Sequence, residues 1–122
     1  MSAPYLGTVI TGTVIGGTTY TQGTSPVSIT IVTTGTYLFS FSVGVNTNIT
    51  AGTGSFTGTN KPASSGTTFP ATNLNQATFY ISGSVIVQNA SGVYGVNINT
   101  TPNTDLLGGG NNFGFFTAVR IG

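Results

Sequence analysis

Histidine, cysteine and tryptophan are absent from this chain of 122 residues, and only Lys61, Asp105 and Arg120 carry charge. General acid-base catalysis needs a group that titrates near neutral pH, and a Ser or Thr nucleophile needs such a group beside it. Asp105 is the one side chain that could serve. The composition therefore predicts a protein that is not an enzyme and that has no catalytic residues and no cofactor.

The same absences narrow the range of partners. A metal site of His, Cys and paired carboxylates is excluded, although backbone carbonyls and one Asp could hold a weak calcium ion. A disulfide framework is excluded as well. A net charge of +1 provides no basic patch for nucleic acid or for an anionic membrane. No apolar run approaches the roughly 18 residues of a membrane helix, so we expect no membrane insertion.

The start of the chain lacks the pattern of a signal peptide. Met1 is followed by Ser2, Ala3 and Pro4, without a basic segment and an apolar segment behind it. If the chain is complete, we expect a protein that is made in a cytoplasm and reaches its place by assembly; for a piece cut from a longer protein this expectation fails.

What the chain does contain is typical of β-structure. Thr is the commonest residue, ahead of Gly (19), and these residues with Asn and Ser suit exposed strand faces and turns. Hydrophobic residues make up 38% and aromatic residues 11%, at regular strand spacing, which argues against disorder. The length is that of one domain, and we predict a single domain over residues 1–122.

The clearest predicted strands are residues 36–45 and 113–121, because their side chains alternate with period two. One face of the first carries Tyr37, Phe39, Phe41, Val43 and Val45. One face of the second carries Phe113, Phe115, Thr117, Val119 and Ile121. Both strands also carry apolar residues on the second face, namely Leu38, Phe116 and Ala118, and a single sandwich buries only one face. The second face suggests a partner surface.

Two turns are predicted beside these strands. Residues 27–32 form a strand that turns at 33–35 into the strand from Thr36. Residues 77–88 and 93–99 form a hairpin around the turn at 89–92.

The alternation that indicates strands is weaker in the rest of the chain. Residues 7–15 predict one or two short strands, and residues 49–57 and 67–74 predict edge strands near Pro62 and Pro70. No helix is predicted. Eight or so short strands with Gly, Pro and Asn turns indicate a sandwich or jelly roll.

Thr-Gly-Thr recurs at equal spacing, at residues 11–13, 34–36 and 57–59. Regular Thr arrays on a solenoid would suggest an ice-binding protein. The residues that follow the copies do not match, so we interpret the spacing as chance and keep an ice-binding-like β-protein as a lesser alternative.

Three segments resemble the tumour necrosis factor and complement globular-head superfamily. The first is Thr34-Gly35-Thr36-Tyr37-Leu38-Phe39-Ser40-Phe41-Ser42-Val43, a Gly turn followed by an aromatic strand. The second is the segment 82–98 around its Gly turn. The third is the ending 112–122, and its Phe116-Thr117-Ala118-Val119-Arg120-Ile121-Gly122 is similar to the ends of fibre and capsid proteins of large DNA viruses and some phages.

This resemblance implies an antiparallel jelly-roll sandwich of eight to ten strands that assembles as a homotrimer. It implies a non-enzymatic structural protein at the virion surface, a fibre or spike head or a minor capsid component, whose partners are itself and other capsid or fibre proteins. The complement members carry a collagen stalk, and no Gly-x-y run is present here. The residues 46–76 contribute nothing to the resemblance.

Site residues follow from this interpretation. The interface candidates are Tyr37, Phe39, Phe41, Phe113, Phe115, Phe116 and Arg120. Arg120 is expected to pair with Asp105 or with a neighbouring copy's carbonyls, or else to be a solvated charge at a strand end. Lys61 is expected to be plain surface. Three glycosylation sequons start at Asn48, Asn89 and Asn99, and we interpret them as coincidence.

The alternative function is a host-glycan-binding attachment domain, in which Tyr rings stack on sugars and amides read hydroxyls. Its candidates are Tyr20, Tyr94 and Asn111, although core packing is the commoner fate of a Tyr. An attachment head is expected to present residues 46–60 and 100–112 to solvent. The small number of charges favours the structural role, because a free head gains little repulsion between copies.

Overall fold

A computed structural model describes residues 6–14, 27–45, 51–62, 68–75, 78–101 and 114–122. Every regular element in these ranges is a β-strand and every pairing is antiparallel, which confirms the all-β prediction. The strands are β1 (Val9–Thr11), β2 (Thr13–Val14), β3 (Val27–Val45), β4 (Ala51–Thr57), β5 (Thr68–Asn75), β6 (Thr78–Thr101) and β7 (Gly114–Arg120). The described residues include no helix that is long and apolar enough to cross a membrane.

The strand pairings form a closed ring. The second half of β3 lies between β7 and the first half of β6. The first half of β3 lies between β2 and the second half of β6. β4 and β5 connect the two halves of β6. On the other side, the consecutive strands β1 and β2 complete the ring. The N–H of Gly12, which joins them, donates to the Phe116 carbonyl at 2.6 Å, so the chain passes from a position beside β7 to one beside β3.

One side of this ring faces a single core, because successive side chains of a strand point to opposite sides. Phe39 lies near the middle, with its ring centroid 4.8 Å from that of Tyr94 and 5.1 Å from that of Phe56. Strands from all parts of the ring contribute to the cluster. Its buried members are Val27, Ile29, Ile31, Tyr37, Phe39, Phe41, Val43, Phe56, Ile81, Val85, Val87, Ala90, Tyr94, Val96, Ile98, Phe116 and Ala118.

The predicted hairpin of 77–88 with 93–99 is wrong, because the residues on both sides of 89–92 pair with β3 and not with each other. At 33–35 and at 89–92 the strands bend and continue. β3 continues from residue 27 to 45 and β6 from 78 to 101, as strands of 19 and 24 residues. Gly35 and Ala90 are register partners, and the register of β3 with β6 shifts on both sides of Gly35. Asn89 (φ 55) and Gly92 (φ 84) have the positive φ of turn residues. The two irregularities therefore lie opposite each other and bend both strands together.

The predicted edge strands exist as β4 and β5, and β5 is at the end of the strand order. β5 pairs with β4 up to Pro70 and with β6 from Ala71. The proline stands where the strand changes its neighbour, which is how a residue without an N–H fits within a sheet. Seven residues of the range 46–60, which was expected as an exposed loop, form strand β4.

The two ends of the ring differ, and we name them by their residues. At the chain-end pole the Gly7 N–H donates to the Arg120 carbonyl at 2.7 Å, and the Gly122 N–H donates to the Thr36 carbonyl at 3.2 Å. At the loop pole lie the strand ends that lead into residues 15–26, 46–50, 76–77 and 102–113. Their pairings are Val14 with Val27, Val45 with Phe79, Thr101 with Ala51, and Gly114 with Val43.

Candidate functional site

Four of the predicted interface residues belong to the core of one chain. Tyr37, Phe39 and Phe116 have no exposed surface, and Phe41 is 1% exposed. The hydroxyl of Tyr37 donates to the Thr33 carbonyl at 2.8 Å, so its polar end is satisfied within the chain as well. These four residues are therefore core residues and not interface residues. The alternation of side chains shows which residues share one side of a strand, but it does not show which side faces the core.

The other three interface candidates differ in their location. Phe115 is 49% exposed on the outer side of β7. Arg120 is half-buried at the chain-end pole, where its Nε–H donates to the carbonyl of Gly122 at 3.0 Å. Phe113 and Asp105 lie outside the described residues, so the proposed pair of Arg120 with Asp105 stays a prediction.

Among the glycan-contact candidates, Tyr94 is buried and is therefore corrected. Its hydroxyl donates to the Thr59 carbonyl at 2.6 Å and accepts from the Ser91 N–H at 3.0 Å, which joins the turn after β4 to the bend of β6. The Nδ2 of Asn60 donates to the Asn89 carbonyl at 3.0 Å across the same contact. The contact between the turn after β4 and the bend of β6 was not predicted from the sequence. Both segments contain Asn and Gly, the residues that adopt a positive φ most readily, and this was the available signal. Tyr20 and Asn111 lie outside the described residues.

The remaining single residues are on the surface. Lys61 is exposed after the turn that follows β4. Asn89 and Asn99 are exposed, the first at the bend of β6 and the second in its regular part, and Asn48 lies outside the described residues.

The outer side of β1, β7, the second half of β3 and the first half of β6 has an apolar row that crosses four strands. Val9 is the register partner of Val119, Val119 of Leu38, and Leu38 of Ile86. Val9 and Ile86 are 58% and 51% exposed, while Val119 and Leu38 are half-buried. Phe115 and Ile121 extend the row along β7. We call the surface formed by Val9, Leu38, Ile86, Phe115, Val119 and Ile121 the apolar face.

Uncharged hydroxyl groups fill the space within the apolar face. Thr117 is the register partner of both Thr11 and Ser40, in the row next to the apolar one. Beyond them the hydroxyls of Ser42 and Ser82 are hydrogen-bonded at 2.9 Å. Thr, Ser and apolar side chains thus make up this surface, and no charged side chain points outward from its four strands. Such a surface recognises a partner by shape and by exclusion of water.

The outer side of β4 and the second half of β6 has a different character. Thr53 is the register partner of Asn99, and Ser55 of Asn97, so hydroxyls and amides face each other there. Val93, at 65% exposed, lies on the outer side of the second half of β6, outside the apolar face; the exposed Val32 is two residues along β3 from its register partner Thr30.

Sequence reasoning found part of the apolar face. It placed Leu38 on a second apolar side and grouped Phe115, Val119 and Ile121 on one side of the last strand. It missed Val9 and Ile86. Ile86 interrupts the polar side of its strand, between Ser84 and Gln88, and this interruption was the available signal.

The Thr-Gly-Thr copies do not stack on one another. Gly12 joins β1 to β2, Gly35 lies in the bend of β3, and Gly58 follows β4. The strands that carry them are not arranged as successive coils of a solenoid.

Comparisons with known proteins give no match, so a function can be proposed only from the residues of this chain. No protein-family model matches the chain, and no curated protein is significantly similar to it.

Proposed function

We propose that the chain is a non-enzymatic structural domain of a virus particle, the head of a fibre or spike or a minor capsid component at the virion surface. In this proposal the ring of strands is a jelly-roll sandwich that works as a homotrimer. The observation that carries it is the separation of the two poles. Gly7 and Gly122, close to the first and last described residues, are hydrogen-bonded to Arg120 and Thr36, while the strand ends of the loop pole lie at the opposite ends of β3 and β7.

A head domain at the tip of a fibre needs its attachment end and its exposed loops at opposite ends of the domain. A stalk or capsid joined to either chain end contacts the chain-end pole and leaves the loop pole pointing outward. The connections 46–50 and 102–113, which belong to the expected distal loops, both start at the loop pole. Binding functions are commonly carried by loops on a rigid scaffold.

The core supports a role outside the protected interior of a cell. A cluster of buried aromatic rings, with Phe39, Phe56, Tyr94 and Phe116 in contact, stabilises the chain without a disulfide. The described residues contain no buried side-chain nitrogen or oxygen atom that lacks a hydrogen-bond partner. A core packed in this way favours a rigid structural part.

The location of the protein tests this proposal. An antibody raised against the folded domain is applied to particles concentrated from the sample that encodes the chain, and gold labelling is read by electron microscopy. Label on the outer surface of virus-like particles is the expected result. Label confined to cell material, with bare particles in the same field, contradicts the proposal.

A host-glycan attachment role is the second candidate, and the outer side of β4 and β6 favours it. Asn99 and Thr53 are exposed register partners without charge. Amides and hydroxyls of this kind can donate to and accept from sugar hydroxyls. On a glycan array this candidate predicts a signal that is lost in Asn99→Ala and kept in Val93→Ala, which changes an exposed residue of the same strand. An array without any signal contradicts it.

A further inference from the structure

We infer that the apolar face is the surface through which copies of this chain pack against one another. This inference rests on the proposed homotrimer and names the surface that forms it, in place of the aromatic residues that belong to the core. Its basis is the row Val9, Val119, Leu38 and Ile86, which is continuous across four neighbouring strands.

The exposure of this row needs an explanation. Scattered apolar residues are normal on a protein surface, whereas a contiguous apolar patch marks an interaction site. Ile86 is 51% and Phe115 49% exposed, and both lie on the outer side of strands whose inner side is already buried. Packing within one chain therefore does not account for them.

Charge favours a second copy as the occupant. The whole chain has three charged side chains and a net charge of +1, so two copies barely repel each other. A partner chosen by charge would need complementary charges on this surface. The outward side chains of the four strands are Thr, Ser, Gln, Tyr and apolar residues, so this surface has no charge that a second copy of the chain would have to match.

The size of the apolar face agrees with packing between copies. Strands about 4.8 Å apart and residues about 3.3 Å apart give three strands of seven residues, together with the three residues of β1, a projected area of roughly 380 Å². A stable interface buries about 800 Å² of accessible surface per partner. One such face supplies a little less than half of this area, and a ring of three copies gives every copy two neighbours. We therefore expect association that weakens measurably on dilution.

The variants Ile86→Lys and Val93→Lys test the inference. Both replace an exposed apolar residue of β6 by Lys, at 51% and 65% exposure, but only Ile86 lies on the apolar face. Sedimentation velocity of the full chain over a concentration series gives the association constant of each variant. Ile86→Ser serves as an uncharged third variant, and near-ultraviolet circular dichroism reports whether each variant is folded.

The expected result is association at least about tenfold weaker for Ile86→Lys, because its charge would lose water in the contact. Ile86→Ser is expected to fall between it and the original chain, and Val93→Lys to match the original chain. Unchanged association of folded Ile86→Lys overturns the inference and leaves the homotrimer standing. Equal weakening by Val93→Lys also overturns it. A monomeric original chain at every concentration overturns the homotrimer itself.

Discussion

At the scale of single residues, Tyr94 combines a buried ring with two hydrogen bonds of its hydroxyl. Its ring lies in the core, and its hydroxyl joins the turn after β4 to the bend of β6 through Thr59 and Ser91. We expect Tyr94→Phe to lower the free energy of unfolding by about 2 kcal/mol, because two hydrogen bonds are lost in a part-buried place. Urea unfolding measures the loss.

The matched control is Tyr37→Phe. This hydroxyl is equally part of a buried tyrosine but makes one hydrogen bond, to the Thr33 carbonyl. A loss of about 1 kcal/mol is expected. A larger loss for Tyr37→Phe than for Tyr94→Phe would show that the junction at Tyr94 is not the more important one.

Two glycines with positive φ allow a second test of the same junction. Gly92 (φ 84) has open space where a Cβ would stand, so Gly92→Ala is expected to cost about 1–2 kcal/mol through its backbone conformation alone. Gly58 (φ 146) lies against the ring of Tyr94, and a Cβ there would overlap the ring. Thermal unfolding should show a greater loss for Gly58→Ala, and an equal loss would contradict the close packing of Tyr94 on Gly58.

At the scale of elements, the bends of β3 and β6 distinguish the structure from the predicted hairpin. Thr30 and Val93 are register partners across β3 and β6, and both are exposed. Antiparallel partners lie about 4.5–5.5 Å apart at Cα, within the range of a disulfide. The double variant Thr30→Cys, Val93→Cys is therefore expected to oxidise to a disulfide, read by mass spectrometry.

The control pair is Gln88→Cys with Val93→Cys. These residues would be neighbours in a hairpin that turns at 89–92, but they belong to one continuous strand here. Little intramolecular disulfide is expected from this pair. Preferential oxidation of this pair over the first would support the hairpin and contradict the continuous strand.

The strands themselves could be predicted from the sequence, whereas their course could not. Period-two alternation identified the side of Tyr37, Phe39 and Phe41 and the position of nearly every strand. The segments 33–35 and 89–92 have the residues of turns, and the same residues allow a bend. The difference arises from the pairing of Gly35 with Ala90, a contact between distant parts of the chain that a local pattern does not contain.

The candidate surface was predictable to a similar degree. An apolar residue such as Leu38 opposite a row of aromatic residues indicates a second apolar side. Which residues of neighbouring strands lie beside it depends on register. Val9 and Ile86 enter the apolar face only because β1, β7, β3 and β6 are adjacent in that order.

At the scale of the whole molecule, the lack of ionisable groups predicts a stability that hardly depends on pH. Stability changes with pH only where the folded and unfolded states bind different numbers of protons. The chain has no His and a single acidic side chain. Between about pH 5 and pH 8 we expect a constant thermal midpoint by circular dichroism. A steep slope in this interval would contradict the expectation.

The central claim is that copies of this chain assemble through an uncharged apolar face. Light scattering coupled to size-exclusion chromatography of the unmodified chain, over a dilution series, tests it most directly. We expect a mass three times the 12.3 kDa of one chain at high concentration, falling toward one chain on dilution. A mass of 12.3 kDa at every concentration would contradict it.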